Sequence, residues 1–343
     1  MIAEFERKLE QKRRKSVGTL AILFLLILVS FLVSLNTGLY PLTPKLVLST
    51  LVGYGTDDSA IVLFNIRLPR MVLALLIGIG LALAGAIMQG VSQNGLADPG
   101  ILGINAGAGL AIVVYIAYFY EKVHFAPLWA LPSVAFIGAS FAAILVFLIS
   151  YKKGNLSPNR LVLVGVAVGS GISALMLFLT YRMNAYTYEF VKIWLSGSVW
   201  GTNWDYVKVA GFWILLLVPL VIYKSRILNV FTLGDTLTKE MGVRINFERF
   251  ILMVYAVALT STSVAVGGNI GFVGLVAPHL SRQLLGVNHK WMLPGTALIG
   301  GMLVLISDTV GRTIVQPIEI PVGIIVAGLG TPYFIYLLLK DRR

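Results

Sequence analysis

Ten stretches of this chain are apolar enough to enter a lipid bilayer, and that leaves few folds open. Crossing a hydrocarbon core ~30 Å thick takes ~20 mainly apolar residues. In lipid, a segment must satisfy its own backbone polar groups, so such stretches become helices. They lie near 17–36, 70–90, 101–119, 128–150, 161–181, 207–223, 250–267, 271–286, 292–311 and 321–339. The eighth departs most from the rule, being short and interrupted by Pro278, His279 and Arg282. Charged residues are only 12% of the chain and mean hydropathy is +0.87. A soluble chain carries roughly 25% charged residues. The polar surface is therefore too sparse to coat a water-facing domain. The expectation is an all-α polytopic membrane protein of about ten transmembrane helices, with a basic tail at 1–16 and one membrane domain over 17–340.

The formal net charge is +12 and the pI about 9.8. In a soluble protein that balance would suggest nucleic acid. Here the basic residues sit at the ends of apolar runs, so they read as topology, with lipid and not nucleic acid as the partner. Six of them, Arg7, Lys8, Lys12, Arg13, Arg14 and Lys15, precede the first run. That flank resembles a signal peptide, but Val17–Leu35 is too long for one and no small-x-small site follows, so the run reads as a retained span. With the N-terminus cytoplasmic, 19 of the 27 lysines and arginines fall on cytoplasmic segments. The bias puts both termini inside. There is no cysteine, which removes disulfides, thiolate chemistry and Cys-ligated metal.

No internal repeat and no low-complexity segment is evident. Two connections on the expected outer side are long. One, 37–69, carries Pro44 and Gly53 to Asp58. The other, 182–206, holds Trp194, Trp200 and Trp204, which suit a short interfacial helix or an aromatic belt. Small residues recur at helical spacing: Gly78, Ala82 and Ala86; Gly103 and Gly107; Gly165 and Gly169. They let helix backbones approach closely in lipid.

Three blocks are more specific. They are Gln89 to Gly103, containing Leu96-Ala97-Asp98-Pro99; Gly268 to Arg282, containing Ala277-Pro278-His279; and Ile320 to Phe334, containing Gly328-Leu329-Gly330-Thr331-Pro332. Together they resemble the FecCD family, permease subunits of bacterial importers for iron-siderophores, haem and vitamin B12. Arg67-Leu68-Pro69-Arg70, Trp194 to Ser198 and Leu233-Gly234-Asp235 fit the same pattern, so the resemblance spans about 60–340. One departure stands out: the family usually has Arg-Asn-Pro where this chain has Gln93-Asn94-Gly95. The resemblance implies a ten-helix, BtuC-like permease of the bacterial cytoplasmic membrane. It also implies a second permease subunit, identical or a paralogue, a pair of cytoplasmic ABC ATPases and an external substrate-binding protein, with a ferric siderophore as the first expected cargo and haem or cobalamin as alternatives.

Several residues then become candidates. The chain lacks the G-x-x-x-x-G-K-[ST] loop that cradles phosphates, so it must borrow work from another subunit. It is expected to be non-catalytic and to need no cofactor. The longest cytoplasmic loop, 224–249, offers a short helix over 236–241, capped by Asp235 and ended by Gly242. Thr238, Lys239 and Glu240 are expected to be exposed, with Leu237 and Met241 forming an apolar grip. The resemblance implies that Leu233, Gly234, Asp235, Leu237, Lys239, Glu240, Met241 and Gly242 couple to the ATPase; the alternative is a solvated loop.

Arg67, Arg70 and Arg312 fall on the outer side against the charge bias, and the first two are three apart. The resemblance implies that they receive acidic residues of the binding protein; snorkelling to headgroups is the alternative. Pro278, His279, Arg282 and Asp308 form a candidate structural or gating network, with Asp308 and Arg312 spaced to pair. A metal site is not expected, because His124, His279 and His289 are scattered and no H-E-x-x-H occurs. A large charged chelate needs a wide, weakly binding passage. An ion-coupled secondary transporter would need carboxylates for its coupling ion, and the spans offer only Asp308. An intramembrane enzyme would need a nucleophile-base pair or metal cluster, and neither is evident.

Overall fold

The computed structural model describes residues 2–38, 40, 42–119, 130–152, 155–156 and 158–340. His124, Lys122 and Lys153 lie outside them. The chain is almost wholly helical. Helix α1 (Ile2–Asn36) is followed by α2 (Pro44–Leu51) and α3 (Asp57–Ala60). The latter runs through a π-helical turn, Ile61–Arg67, into α4 (Leu68–Ser92). A 3₁₀ turn, Pro99–Leu102, leads to α5 (Ile104–Tyr118) and α6 (Ala130–Ser150). Strands β1 (Tyr151–Lys152) and β2 (Asn155–Leu156) pair antiparallel, Tyr151 opposite Leu156. Then come α7 (Pro158–Thr180), α8 (Ala185–Leu195), α9 (Trp204–Tyr223), α10 (Ser225–Phe231) and α11 (Asp235–Glu240). The last four are α12 (Ile245–Gly267), α13 (Val273–Leu285), α14 (His289–Gly311) and α15 (Val322–Lys340).

Among the described residues, seven helical stretches are long and apolar enough to cross a membrane: α1, α3 with α4, α6, α7, α9, α12 and α14. Apolar helices α5 and α15 are shorter in this respect. Helix α13 spans only 13 residues. The second apolar run is longer than its sequence suggests, since helix continues unbroken from Asp57 to Ser92. The short helix anticipated in 182–206 is α8, capped by Asn184, whose Oδ1 accepts the Thr187 N–H at 2.8 Å.

Helix α4 is the central post. It packs against α14, α12, α13 and α9. Nearly every residue from Met71 to Ser92 is buried or half-buried. Its glycines explain the depth of that packing. A Cβ added at Gly78 would overlap the backbone of Gly300 on α14, and one at Gly85 would overlap the backbone of Gly274 on α13. A Cβ at Gly107 of α5 would likewise meet Gly138 O of α6 at 2.5 Å. With no hydrophobic drive between helices in lipid, this backbone-to-backbone fit holds the bundle together. By contrast α1 and α7 leave much of their apolar surface exposed, including Phe24, Leu25, Leu163 and Leu177.

Candidate functional site: a cavity between two charged ends

A cavity of about 720 Å³ opens between the start of α5, one face of α7 and the stretch leading into α13. Its walls include Gly103, Asn105, Gly165, Ser170, Asn269 and Phe272. Asn105 Nδ2 donates to Asn269 Oδ1 at 2.7 Å. The other side of that amide, Asn105 Oδ1, is buried without a protein partner. The one carboxylate at the margin, Asp98, is already used: its Oδ1 accepts the Gly100 N–H at 2.7 Å and opens the 3₁₀ turn. The lining therefore mixes amides, hydroxyls and glycine backbone with apolar side chains such as Val166, Met176, Leu195 and Leu275, and holds no cation. Such a surface wets a large polar solute without gripping it.

At the end expected to face outward, five charged side chains converge. Arg70 Nε donates to Asp308 Oδ1 at 2.9 Å, and Nη2 lies 2.8 Å from the same oxygen. Arg70 Nη1 donates to both Glu319 oxygens, at 3.1 and 2.8 Å. Asp308 is fully buried in α14. Arg312 donates to Ser34 O at 2.6 Å and Thr37 O at 2.9 Å, while its Nε stays 3.7 Å from Asp308 Oδ2. Arg67 donates to the carbonyls of Leu35 and Tyr40. Helix α1 leaves its last carbonyls without internal partners, and two guanidinium groups at that negative end supply them.

These positions revise the placement expected of two arginines. Arg67 and Arg312, expected on an open rim, are 4% and 7% exposed and committed to α1. Arg67 and Arg70 border one pocket but turn to different partners, Arg67 to backbone carbonyls and Arg70 to the carboxylates of Asp308 and Glu319. Asp308 does meet Arg312, four residues on, at 3.7 Å as the spacing allows, and pairs more closely with Arg70 at 2.8 Å. Above the cluster a pocket of about 240 Å³ remains, bordered by Tyr40, Arg67, Arg70, Arg312 and Glu319.

The opposite end carries α10 and α11. The N-cap of α11 is Gly234, and Asp235 is its first helical residue, so Asp235 does not cap the helix as anticipated. Its carboxylate instead receives Arg249 of α12 in bidentate fashion, at 2.7 and 3.0 Å. That geometry is the strongest an Arg–carboxylate pair adopts. Thr238, expected to be exposed, is fully buried. Its hydroxyl donates to Gly234 O at 2.7 Å, with Val230 O 3.1 Å away, so α11 folds back on α10. Gly242, at φ +79°, ends the helix; Val243 N–H returns to Thr238 O at 3.3 Å. Lys239 and Glu240 are exposed. Leu233, Leu237 and Met241 present half or more of their surface, four residues apart. Behind them, Asn229 Oδ1 accepts His289 N–H at 2.8 Å and Lys224 Nζ donates to Glu248 at 2.7 Å. The apolar face is thus offered by a braced support.

The third candidate group divides. Arg282 Nη2 donates to Gln89 Oε1 of α4 at 3.1 Å. His279 turns the other way, 2.9 Å from Gln283 Nε2 and edge-on to Tyr333 of α15. Pro278 lies buried within α13. Among the described residues no cluster of His, Asp and Glu could hold a metal ion. Glu319, Arg249 and Asn105 escaped sequence reading, and Gln89 and Asn269 were read only as members of the specific blocks, with no role of their own. Each acts through a partner distant in the chain, and nothing local marks that pairing.

Comparison with known proteins agrees with this layout. The FecCD transport family profile matches residues 25–340. The chain is 44% identical to the iron(3+)-hydroxamate import system permease protein FhuG of Bacillus subtilis (strain 168), over 97% of this chain and 99% of FhuG. It is also 44% identical to the iron-uptake system permease protein FeuC of the same organism, over 94% of this chain and 97% of FeuC. Hemin and vitamin B12 permeases are more distant. Among solved structures, a metal-chelate type ABC transporter in an inward-facing conformation superposes with a TM-score of 0.83 at 32% identity, over 94% of this chain and 99% of the other.

Proposed function

The chain belongs to the FecCD transport family, and from that premise we propose that it is the membrane permease of an ATP-driven importer carrying iron(III)-siderophore complexes across a bacterial cytoplasmic membrane. The observation that carries this reading is the 720 Å³ cavity lined by amides, glycines and apolar side chains, which has room for a chelate and holds no cation, its one carboxylate, Asp98, being engaged by the Gly100 N–H. Haem or cobalamin would require the same architecture, but the iron-siderophore permeases are the nearer relatives. In this reading α1, α4, α5, α6, α7, α9, α12, α13, α14 and α15 are the ten spans, with both termini cytoplasmic. The apolar face of α7 beside the cavity would meet a second permease, identical or paralogous, which closes the passage.

Work enters through α11. Leu233, Leu237 and Met241 form the apolar grip for a cytoplasmic ATPase, with Gly234, Asp235, Lys239, Glu240 and Gly242 shaping and flanking it. Substituting Leu237→Asp together with Met241→Asp is expected to reduce co-purifying ATPase and chelate uptake by about tenfold or more, as loss of two central apolar anchors does. Both side chains are exposed, so the amount of permease in the membrane should stay unchanged. Normal ATPase recovery from the double variant would place coupling elsewhere.

Loading from outside involves the pocket over Arg67, Arg70 and Arg312. An acidic residue of the binding protein would compete with Glu319 for Arg70, while Arg67 and Arg312 contribute field. Glu319→Gln frees Arg70 Nη1 and is expected to raise the association rate with the binding protein by about threefold at low salt. The gain should fade as salt screens it. An unaltered rate would remove the docking role from this pocket.

A further inference from the structure

At the end of α4, Gln93 adopts φ +52°, the left-handed region that non-glycine residues rarely enter. Glycine would fill that turn with less strain. The side chain is solvent-exposed, so core packing does not account for it. What it does is bridge. Gln93 Nε2 donates to Phe231 O, the last residue of α10, at 2.9 Å. The same nitrogen lies 3.3 Å from Asp235 Oδ1, the first residue of α11 and the acceptor of Arg249. Arg249 in turn stands over the Phe231 ring at 5.7 Å. One carboxamide thus joins α4 to the joint between α10 and α11.

On its other side, Gln93 begins a segment stiffened by local hydrogen bonds. Leu96 N–H donates to Asn94 Oδ1 at 2.9 Å, Ala97 N–H to Asn94 O at 3.1 Å, and Gly100 N–H to Asp98 Oδ1 at 2.7 Å. Asp98, Gly100 and Gly103 then border the cavity. One turn earlier on α4, Gln89 holds Arg282 of α13. We propose that Gln93 is a positioning residue for energy transfer: its carboxamide clamps the first turn of α11 to the end of α4, so that displacement of α11 is carried into the 93–103 segment beside the cavity. This rests on the permease reading above, in which α11 meets the ATPase.

The test uses the full complex with its ATPase and binding protein in proteoliposomes, measuring ATP hydrolysis and uptake of a radio-iron hydroxamate chelate together. Gln93→Gly relaxes the turn and deletes the amide. It is expected to assemble and hydrolyse ATP near the wild-type rate while chelate moved per ATP falls about fivefold. Gln93→Arg, which keeps donors able to reach both acceptors, is expected to recover most of that ratio. An unchanged ratio in Gln93→Gly overturns the clamp. So does a proportional loss of complex, hydrolysis and uptake, which would mark a merely structural role. If the wild-type complex recruits no ATPase or moves no chelate, the permease reading itself fails and the clamp goes with it, and that outcome is visible before any variant is compared.

Discussion

Placing a methyl group on Gly85 is expected to cost the protein its folded bundle. A Cβ there would overlap the Gly274 carbonyl group and Cα, which are backbone and cannot rotate away. Gly274 sits in an equally tight place, since a Cβ added there would meet Pro99 Cδ at 2.9 Å, Asp98 Oδ2 at 3.0 Å and Leu81 O at 3.1 Å. Relief would require sliding α13 off α4 along a contact that is buried on both sides. Overpacking a tight interior costs about 1–3 kcal/mol, and more where backbone opposes backbone. For Gly85→Ala we expect about 3 kcal/mol, and for Gly85→Val little folded protein in the membrane. Thermal unfolding of the detergent-solubilised permease, with membrane abundance as the second measure, checks this. A melting temperature unmoved by Gly85→Ala would mean the helices do not approach as described. Ala82, one turn before Gly85 on the same helix, supplies the control. Its Ala82→Gly variant adds no atom and should cost helix propensity plus one buried methyl, about 1–2 kcal/mol, with no backbone overlap.

Removing the carboxylate of Asp308 is expected to have an effect of similar size for an electrostatic reason. Asp308 is fully buried, and its oxygen takes two guanidinium nitrogens of Arg70. Without it, Arg70, Arg67 and Arg312 face one another with only Glu319 to offset them. A buried charge that loses its partner costs about 3–5 kcal/mol. Asp308→Ala should therefore accumulate poorly and unfold at markedly lower temperature. Removing both members, Asp308→Leu with Arg70→Leu, should restore much of the loss, because no uncompensated charge remains at the pair. The double-mutant cycle isolates this coupling from the rest of the cluster. Additive losses in the double variant would show that the pair does not act as a unit.

Some of this was readable in the residues and some was not. The spans near 17–36, 207–223, 250–267 and 292–311 were legible because hydropathy reports each segment's own preference for lipid. The block around Leu96-Ala97-Asp98-Pro99 and the one around Pro278 identified the family because their residues are specific in order and spacing. Leu237 and Met241 were legible as an exposed pair because a spacing of four lies on one face of any helix. Asp235 misled for the complementary reason. Its type suits a cap, but Arg249, 14 residues later, takes its carboxylate and Gly234 stands at the cap position. Arg67 looked like a rim charge until the end of α1, 32 residues earlier, came to rest against it.

The residues alone therefore decided that the chain is a helical membrane protein, which family it joins and which loop is long enough to meet a partner. The first and last follow from local free energies of insertion and helix formation, and the family from specific residues in a fixed order. Only the tertiary structure decided which arginine meets which carboxylate, that Thr238 is hidden, and that Gln93 ties α4 to α11. Those pairings depend on which helices touch. In lipid that is settled by steric fit between small residues such as Gly85 and Gly274, far apart in the chain and recognisable as partners only once they are in contact.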